Sequence, residues 1–284
     1  VTADPSPAVE PDATPDPRTP SRPGRGVALE IAVQDVAGAR AAAAGGADRV
    51  ELCAALAGTG GLTPSAGMVA AVADALRGTG VGAHVLVRSR AGGFVPAPDE
   101  VDVQVRDVRA VLEAGADGVV VGALTADGRV DAATLAALVA AADGAEVTFH
   151  RAIDQVERPV EILETLAAAG VRRVLTSGGA ARAGDGLDVL AALADRGREL
   201  GVEIMAGGGV RTEDVAALVA AGVDAVHLSA RRTVSADGGP GGGGTGGYDV
   251  TDPAAVAAAR AALDAALGAT PGAAARSGAG RVAP

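Results

Sequence analysis

Three histidines make up the imidazole complement of this 284-residue chain, and each stands in a short β-branched run: AHVLVR at 83–88, EVTFH at 146–150 and AVHLS at 225–229. Side chains alternate between the two faces of a strand, so position within each run assigns a face. Val85 and Val87, Val147 and Phe149, and Val226 and Leu228 form apolar sets suited to packing under helices. His84, His150 and His227 then point the other way. The same parity turns Glu30 and Ala32 of LEIAV (29–33) and Glu51 and Cys53 of RVELC (49–53) to the histidines' side. Leu86, Arg88, Thr148, Ser229, and Met205 and Gly207 of EIMAG (203–207) join them. A structural interior would be filled with branched aliphatics, because a buried charge without a partner is costly. The polar set is therefore either a self-satisfied network, for instance Arg88 pairing with Glu30 or Glu51, or a site. The gathering of these residues towards strand ends favours a site.

Several chemistries fit those types. His150-Arg151-Ala152-Ile153-Asp154 leaves a strand end, where His150 suits a general base or a ligand. Asp154 either orients that histidine or a substrate, or makes a loop salt bridge with an Arg. Glu30 and Glu51 on adjacent strands would lie roughly 5 Å apart if level. They form an acid/base pair if one pKa is raised, or a structural pair if Arg88 lies between them. Gly207-Gly208-Gly209 follows a strand and precedes a helix-like stretch, and Ser229 ends the last strand. Glycine-rich loops in such places hold phosphate through backbone N–H groups, although glycine also serves tight turns. Ser177-Gly178-Gly179 extends the same pocket. The expected ligand is a small anionic or phosphorylated metabolite, with Arg88 or Arg151 supplying charge.

Eight strands must position these groups. They read 29–33, 49–53, 83–88, 118–122, 146–150, 173–177, 203–207 and 225–229, and helix-like stretches start near Asp35, Pro64, Pro98, Asp131, Arg158, Asp185, Thr212 and Thr251. Pro, Asp and Thr there are helix-start signals, and Gly45, Gly115, Gly170 and Gly222 stand where helices should stop. AGGADRVELC, EAGADGVVVG, AAGVRRVLTS and AAGVDAVHLS repeat one design of helix end, tight turn and strand. Eight strand–helix units predict an α/β fold, the (β/α)8 TIM barrel, over 27–268. An open doubly wound sheet is the alternative, but its early G-x-G-x-x-G is missing. Residues 1–26, rich in Pro, Asp, Thr and Ser, are expected to be disordered, 235–247 to be a flexible loop and 269–284 a loose tail.

Composition narrows the function. A net charge of −11 argues against nucleic acid and against an anionic membrane surface. All 24 basic residues are Arg, so Schiff-base, pyridoxal-phosphate and P-loop lysine chemistry are excluded. The single cysteine, Cys53, cannot form an internal disulfide, which favours a reducing, cytoplasmic setting, and no signal peptide or membrane span is expected. Taken alone, Cys53 reads as a small buried hydrophobe.

The phrases GGADRVELC, GGLTPS, GADGVVVGALTADGRVD, TFHRAID, RVLTSGG and EIMAGGGV, in this order, resemble the CutC family of copper homeostasis proteins. The resemblance runs from about Leu29 to Ser229. It implies a cytoplasmic, homo-oligomeric barrel that binds copper, with no reaction attached. The family's copper proposal rests on two thiols, one matching Cys53 and one matching Ala32. Because Ala32 breaks the pair, Cu(I) would be held weakly and through Cys53, with Met205 or a histidine as a further donor.

Overall fold

The structure, a computed structural model, describes residues 26–235 and 247–269. The expectations for 1–25, 236–246 and 270–284 lie outside the described residues. In chain order the elements are β1 (Ala28–Val33), α1 (Val36–Ala44), β2 (Arg49–Leu52), α2 (Leu56–Thr59), α3 (Ala66–Leu76), β3 (Gly82–Leu86), α4 (Pro98–Glu113), β4 (Gly118–Val121) and α5 (Ala132–Ala141). There follow β5 (Glu146–Phe149), α6 (Leu163–Ala168), β6 (Arg173–Thr176), α7 (Leu187–Leu200), β7 (Glu203–Ala206), α8 (Val215–Ala220), β8 (Ala225–Leu228), β9 (Arg231–Val234), β10 (Tyr248–Thr251) and α9 (Pro253–Ala269). The eight parallel strands β1 to β8 close into a barrel in sequential order, β8 pairing with β1. This is the (β/α)8 fold expected from the alternation of runs.

The boundaries obey local chemistry. Asp35, Ser65 and Asp131 cap α1, α3 and α5 through side-chain oxygens that accept backbone N–H groups of the first turn. The repeated turn phrases have a further purpose. Asp48, Asp117 and Asp224, just ahead of β2, β4 and β8, accept the N–H of Leu29 (2.8 Å), Ala83 (2.7 Å) and Ile204 (2.8 Å) on the preceding strand. Each carboxylate thus ties the bottom of one strand to its neighbour. The helix expected from Thr251 begins instead at Pro253, because the antiparallel β9–β10 hairpin occupies the link from β8.

The outward faces carry the hydrophobic load. Leu29, Ile31, Val33, Val50, Leu52, Val85, Val87, Val147, Phe149, Val226 and Leu228 all join one continuous cluster with the helices. The barrel interior differs. It holds two small apolar clusters, Cys53–Leu86–Val120 and Leu175–Met205–Ala225, and a lattice of buried charge. Fully buried Arg49 donates through Nε to Glu30 and through Nη1 to Glu146, and its Nη2 lies 3.2 Å from Thr148 Oγ1. Arg173 continues the chain from Glu146 (3.3 Å) to Glu203.

Removing one member of such a network strands the others as unpaired buried charges. Arg49→Met should therefore lose about 3–5 kcal/mol of stability, measured by denaturant unfolding. A loss below ~1 kcal/mol would show that the lattice tolerates an open position.

Candidate functional site

The C-terminal ends of the strands surround a cavity of about 320 Å³. Glu51, Arg88, His150, Arg151, His227 and Ser229 line it together with Ala32, Phe94, Leu175, Gly208 and Gly209. The parity argument placed most of these correctly. What each side chain does is decided by its partners.

His227 and Glu51 sit at the base of the cavity. His227 Nδ1 lies 2.7 Å from Glu30 Oε1, and its Nε2 lies 3.8 Å from Glu51 Oε2. Burial disfavours the imidazolium, but the hydrogen bond to Glu30 and the charges of Glu51 and Glu30 raise its pKa above the ordinary histidine value. Burial would likewise raise Glu30, yet Arg49 and His227 hold it well below the usual carboxylate range. Glu51 moves the opposite way, raised by burial and by Glu30.

The two glutamates are not level. Glu30 is in register with Arg49 and His227, whereas Glu51 is in register with Ala32 and His84. Arg88 does not lie between them; Arg49 and His227 bind Glu30. Glu30 is thus an ion-paired member of the buried lattice, and Glu51 is the carboxylate that reaches the cavity.

Arg88 instead organises the rim. Its Nη1 donates to Thr59 O (2.8 Å) and Gly61 O (3.0 Å), its Nη2 to Gly92 O (2.5 Å), and its guanidinium lies 5.2 Å from the Phe94 ring centroid. Its Nε has no partner among the described residues.

His150 ends β5 and caps the short 3₁₀ turn Arg151–Gln155. Its Nδ1 accepts the Ala152 N–H at 3.1 Å, so the neutral ring carries its proton on Nε2. Burial and the Arg88 charge push its pKa down to about 4. Gly122 supports the ring, since any Cβ there would run into it, and Phe94 packs at 4.8 Å between centroids. At neutral pH His150 is a hydrogen-bond donor. That corrects its assignment as a general base or ligand, because neither nitrogen offers a free lone pair.

Asp154 does not touch His150. It accepts from Arg151 Nε (2.8 Å), Thr176 Oγ1 (2.6 Å), Ser177 N (3.0 Å) and Gly179 N (3.2 Å), the loop salt bridge with added clamps on the β6 loop. Arg151 is aimed by this pair and by Ser177 Oγ (3.1 Å). Its guanidinium lies over Gly208, where a Cβ would come within 2.6 Å of Cζ.

The glycine loop needs one correction. Gly207, just past β7, donates its N–H to Thr176 O (2.9 Å) and packs on Leu175 and His227, so that N–H is not free for an anion. Gly208 and Gly209, at φ +101° and +61°, are the residues that face the cavity. Among the described residues their N–H groups have no hydrogen-bond partner.

Cys53 is fully buried with Leu86 and Val120. Burial and the neighbouring Glu51 carboxylate push its thiol well above the ordinary value. Met205 belongs to the other interior cluster. Cys53 is also out of register with Ala32, which pairs with Glu51. Among the described residues no three His, Cys, Asp or Glu side chains converge as a metal site.

Comparison with known proteins accords with the barrel and its phrases. The CutC family model matches residues 27–232. The chain belongs to the CutC family. It is 47% identical over 211 residues to a CutC family protein of Xanthomonas axonopodis pv. citri, covering 73% of this chain and 85% of that one. A CutC family protein of Agrobacterium fabrum is 48% identical over 193 residues, covering 67% and 74%. Among solved structures, a CutC protein of Streptococcus agalactiae named for copper homeostasis superposes with a TM-score of 0.68 at 27% identity, covering 72% of this chain and 98% of that one. A thiamine phosphate pyrophosphorylase of Pyrococcus furiosus, at 16% identity, covers 86% of this chain and 98% of its own with a TM-score of 0.56, a likeness of fold alone. No helix among the described residues is long and apolar enough to cross a membrane.

Sequence reasoning passed over Arg49, Glu146, Arg173 and Glu203. Their signal was present: each opens its strand with a charge at the inward parity of RVELC, EVTFH, RVLTS and EIMAG. Phe94, on the loop after β3, carried no such signal.

The buried histidines imply an acid-side instability. His150 and His84, the latter lowered to about 3 by burial and the Arg49 charge, stay neutral where the unfolded chain protonates. The unfolded state then binds more protons, so each contributes a stability loss as pH falls from about 6.5, up to about 1.4 kcal/mol per pH unit. Thermal melts should show a shallower decline between pH 7 and about 4 in His150→Phe than in the parent chain. Equal slopes would mean that His150 is not held neutral.

Proposed function

We propose that this CutC-family barrel binds and transforms a small anionic metabolite at the C-terminal ends of its strands. The observation that carries the reading is convergence. A cavity of about 320 Å³ has the Glu51–His227 pair at its base, the neutral donor His150 on one wall, and Arg151 with the Gly208–Gly209 N–H groups at its rim. Sites with a few convergent polar groups in an otherwise apolar cavity are typical of small-molecule binding. The protein is acidic overall, so an anion is held by local N–H groups and an aimed arginine, not by bulk charge. Ser229 and Arg88 complete the rim. The free, buried Cys53 supports a reducing, cytoplasmic setting.

Copper handling is the reading that the family's name carries, and here copper would be cargo. The donor set does not fit tight capture. Cu(I) favours thiolate and thioether, whereas Cys53 is buried and held as a thiol, and Ala32 supplies no second sulfur. Titration with Cu(I) against a competing chelator should show weak binding that Cys53→Ala removes. Tight binding that survives the substitution would reverse this ranking.

For the anion reading, a ligand at 100 times its Kd stabilises the fold by about 2.7 kcal/mol. Thermal-shift measurements with phosphate, sulfate and sugar phosphates should reveal such a ligand. Arg151→Met should weaken the shift and Gly208→Val should abolish it, the latter because a side chain at φ +101° collides with Arg151. No shift with any anion, or unchanged shifts in both variants, would overturn the proposal.

A further inference from the structure

The chain contains no lysine, so a bound carbonyl cannot be captured as a Schiff base. A carbonyl can instead be activated through a hydrogen bond, and His150 is placed to give one. Its Nδ1 is occupied by the Ala152 N–H, which leaves a proton on Nε2 of a ring that lines the cavity. The ring is pinned between Gly122 and Phe94, which fixes its direction. The same cavity presents the Glu51 carboxylate, with His227 beside it. A donor without an acceptor among the described residues and a carboxylate acceptor therefore border one small space.

We propose that the anion taken by this cavity carries a carbonyl next to a C–H bond, and that the site moves the proton of that bond. The inference rests on the anion-pocket reading and adds the substrate class and the residue roles. Glu51 takes the proton from carbon. The C–H electron pair becomes the new C=C bond, and the carbonyl π pair moves onto oxygen. His150 Nε2–H hydrogen-bonds that oxygen and stabilises the enolate without transferring its own proton. Glu51 then returns the proton to the same carbon as the oxygen pair re-forms the carbonyl and the C=C pair takes the proton, so atoms and electrons balance with no co-reactant. A neutral imidazole suits this role because it donates to a developing oxyanion in a preorganised direction. Glu30 is a positioning residue: it holds His227 Nδ1 and so fixes the ring beside Glu51.

The test uses the full chain with 15N-labelled histidine, whose three imidazoles are few enough to assign. Oxalate, a planar mimic of an enolate, is compared with glycolate and with inorganic phosphate. His150 Nε2 is expected to keep its proton, and its resonance to move on adding oxalate. Oxalate should bind about tenfold more tightly than glycolate, the effect of one charge-assisted hydrogen bond. His150→Phe, which keeps a ring against Phe94, should lose that preference, and His150→Gln, which keeps an N–H donor, should recover part of it. In deuterated water, small 2-keto acids and hydroxyketone phosphates should exchange the hydrogen next to the carbonyl, and Glu51→Gln should stop the exchange. An unprotonated Nε2, a preference that survives in His150→Phe, or no exchange with any of these compounds would overturn the inference while phosphate binding upheld the pocket. Failure of every anion to bind would remove the pocket reading itself.

Discussion

Arg49 has no exposed surface and bonds to carboxylates on two other strands, so the barrel interior is organised around a charge that cannot be left alone. From it the signs alternate: Glu30, Arg49, Glu146, Arg173, Glu203. Burial works against every member. The lattice persists because each charge has an opposite neighbour, and Glu146 is held down to about 2 by Arg49, His84 and Arg173 against that burial. An aliphatic interior would be the simpler filling for a barrel of this size. The charged one has a consequence that an aliphatic one lacks: it delivers a fixed negative charge, Glu30, to the underside of the cavity.

The His227–Glu51 pair at the cavity hangs from that charge. Glu30 holds His227 by Nδ1 and helps to raise its pKa, and His227 in turn faces Glu51. His150 is governed by the opposite influence, the positive Arg88 and a dry wall of Phe94 and Phe149. Two imidazoles in one barrel are thus driven apart, one towards the charged form and one towards the neutral form. Separation of this kind is what allows one site to present an acid–base pair and a pure donor at the same pH.

The CutC likeness covers the barrel and leaves the chemistry to the individual side chains. The family's copper proposal depends on paired sulfur, and this chain has Ala32 at one of the two places. Its remaining thiol is enclosed with Leu86 and Val120 rather than opened to the cavity. The groups at the cavity rim, by contrast, are fixed by specific contacts: Arg151 by Asp154 and Ser177, with its guanidinium over Gly208.

Alternation and punctuation were enough to read the barrel. Eight runs of period two, separated by capped helices, admit few closed arrangements, and strand parity alone turned His84, His150, His227, Glu51 and Cys53 inward. The same parity applied two residues earlier in each run marks Arg49, Glu146, Arg173 and Glu203 as interior. Partnership was beyond its reach. Which glutamate meets Arg49 depends on register between strands that are remote in sequence, and parity carries no register. His150 became a donor through a bond to Ala152 set by a local 3₁₀ turn, and Gly207 lost its anion role because its N–H was already used by Thr176. Composition and periodicity determine which face a side chain takes; only the closed barrel decides which charge it meets there.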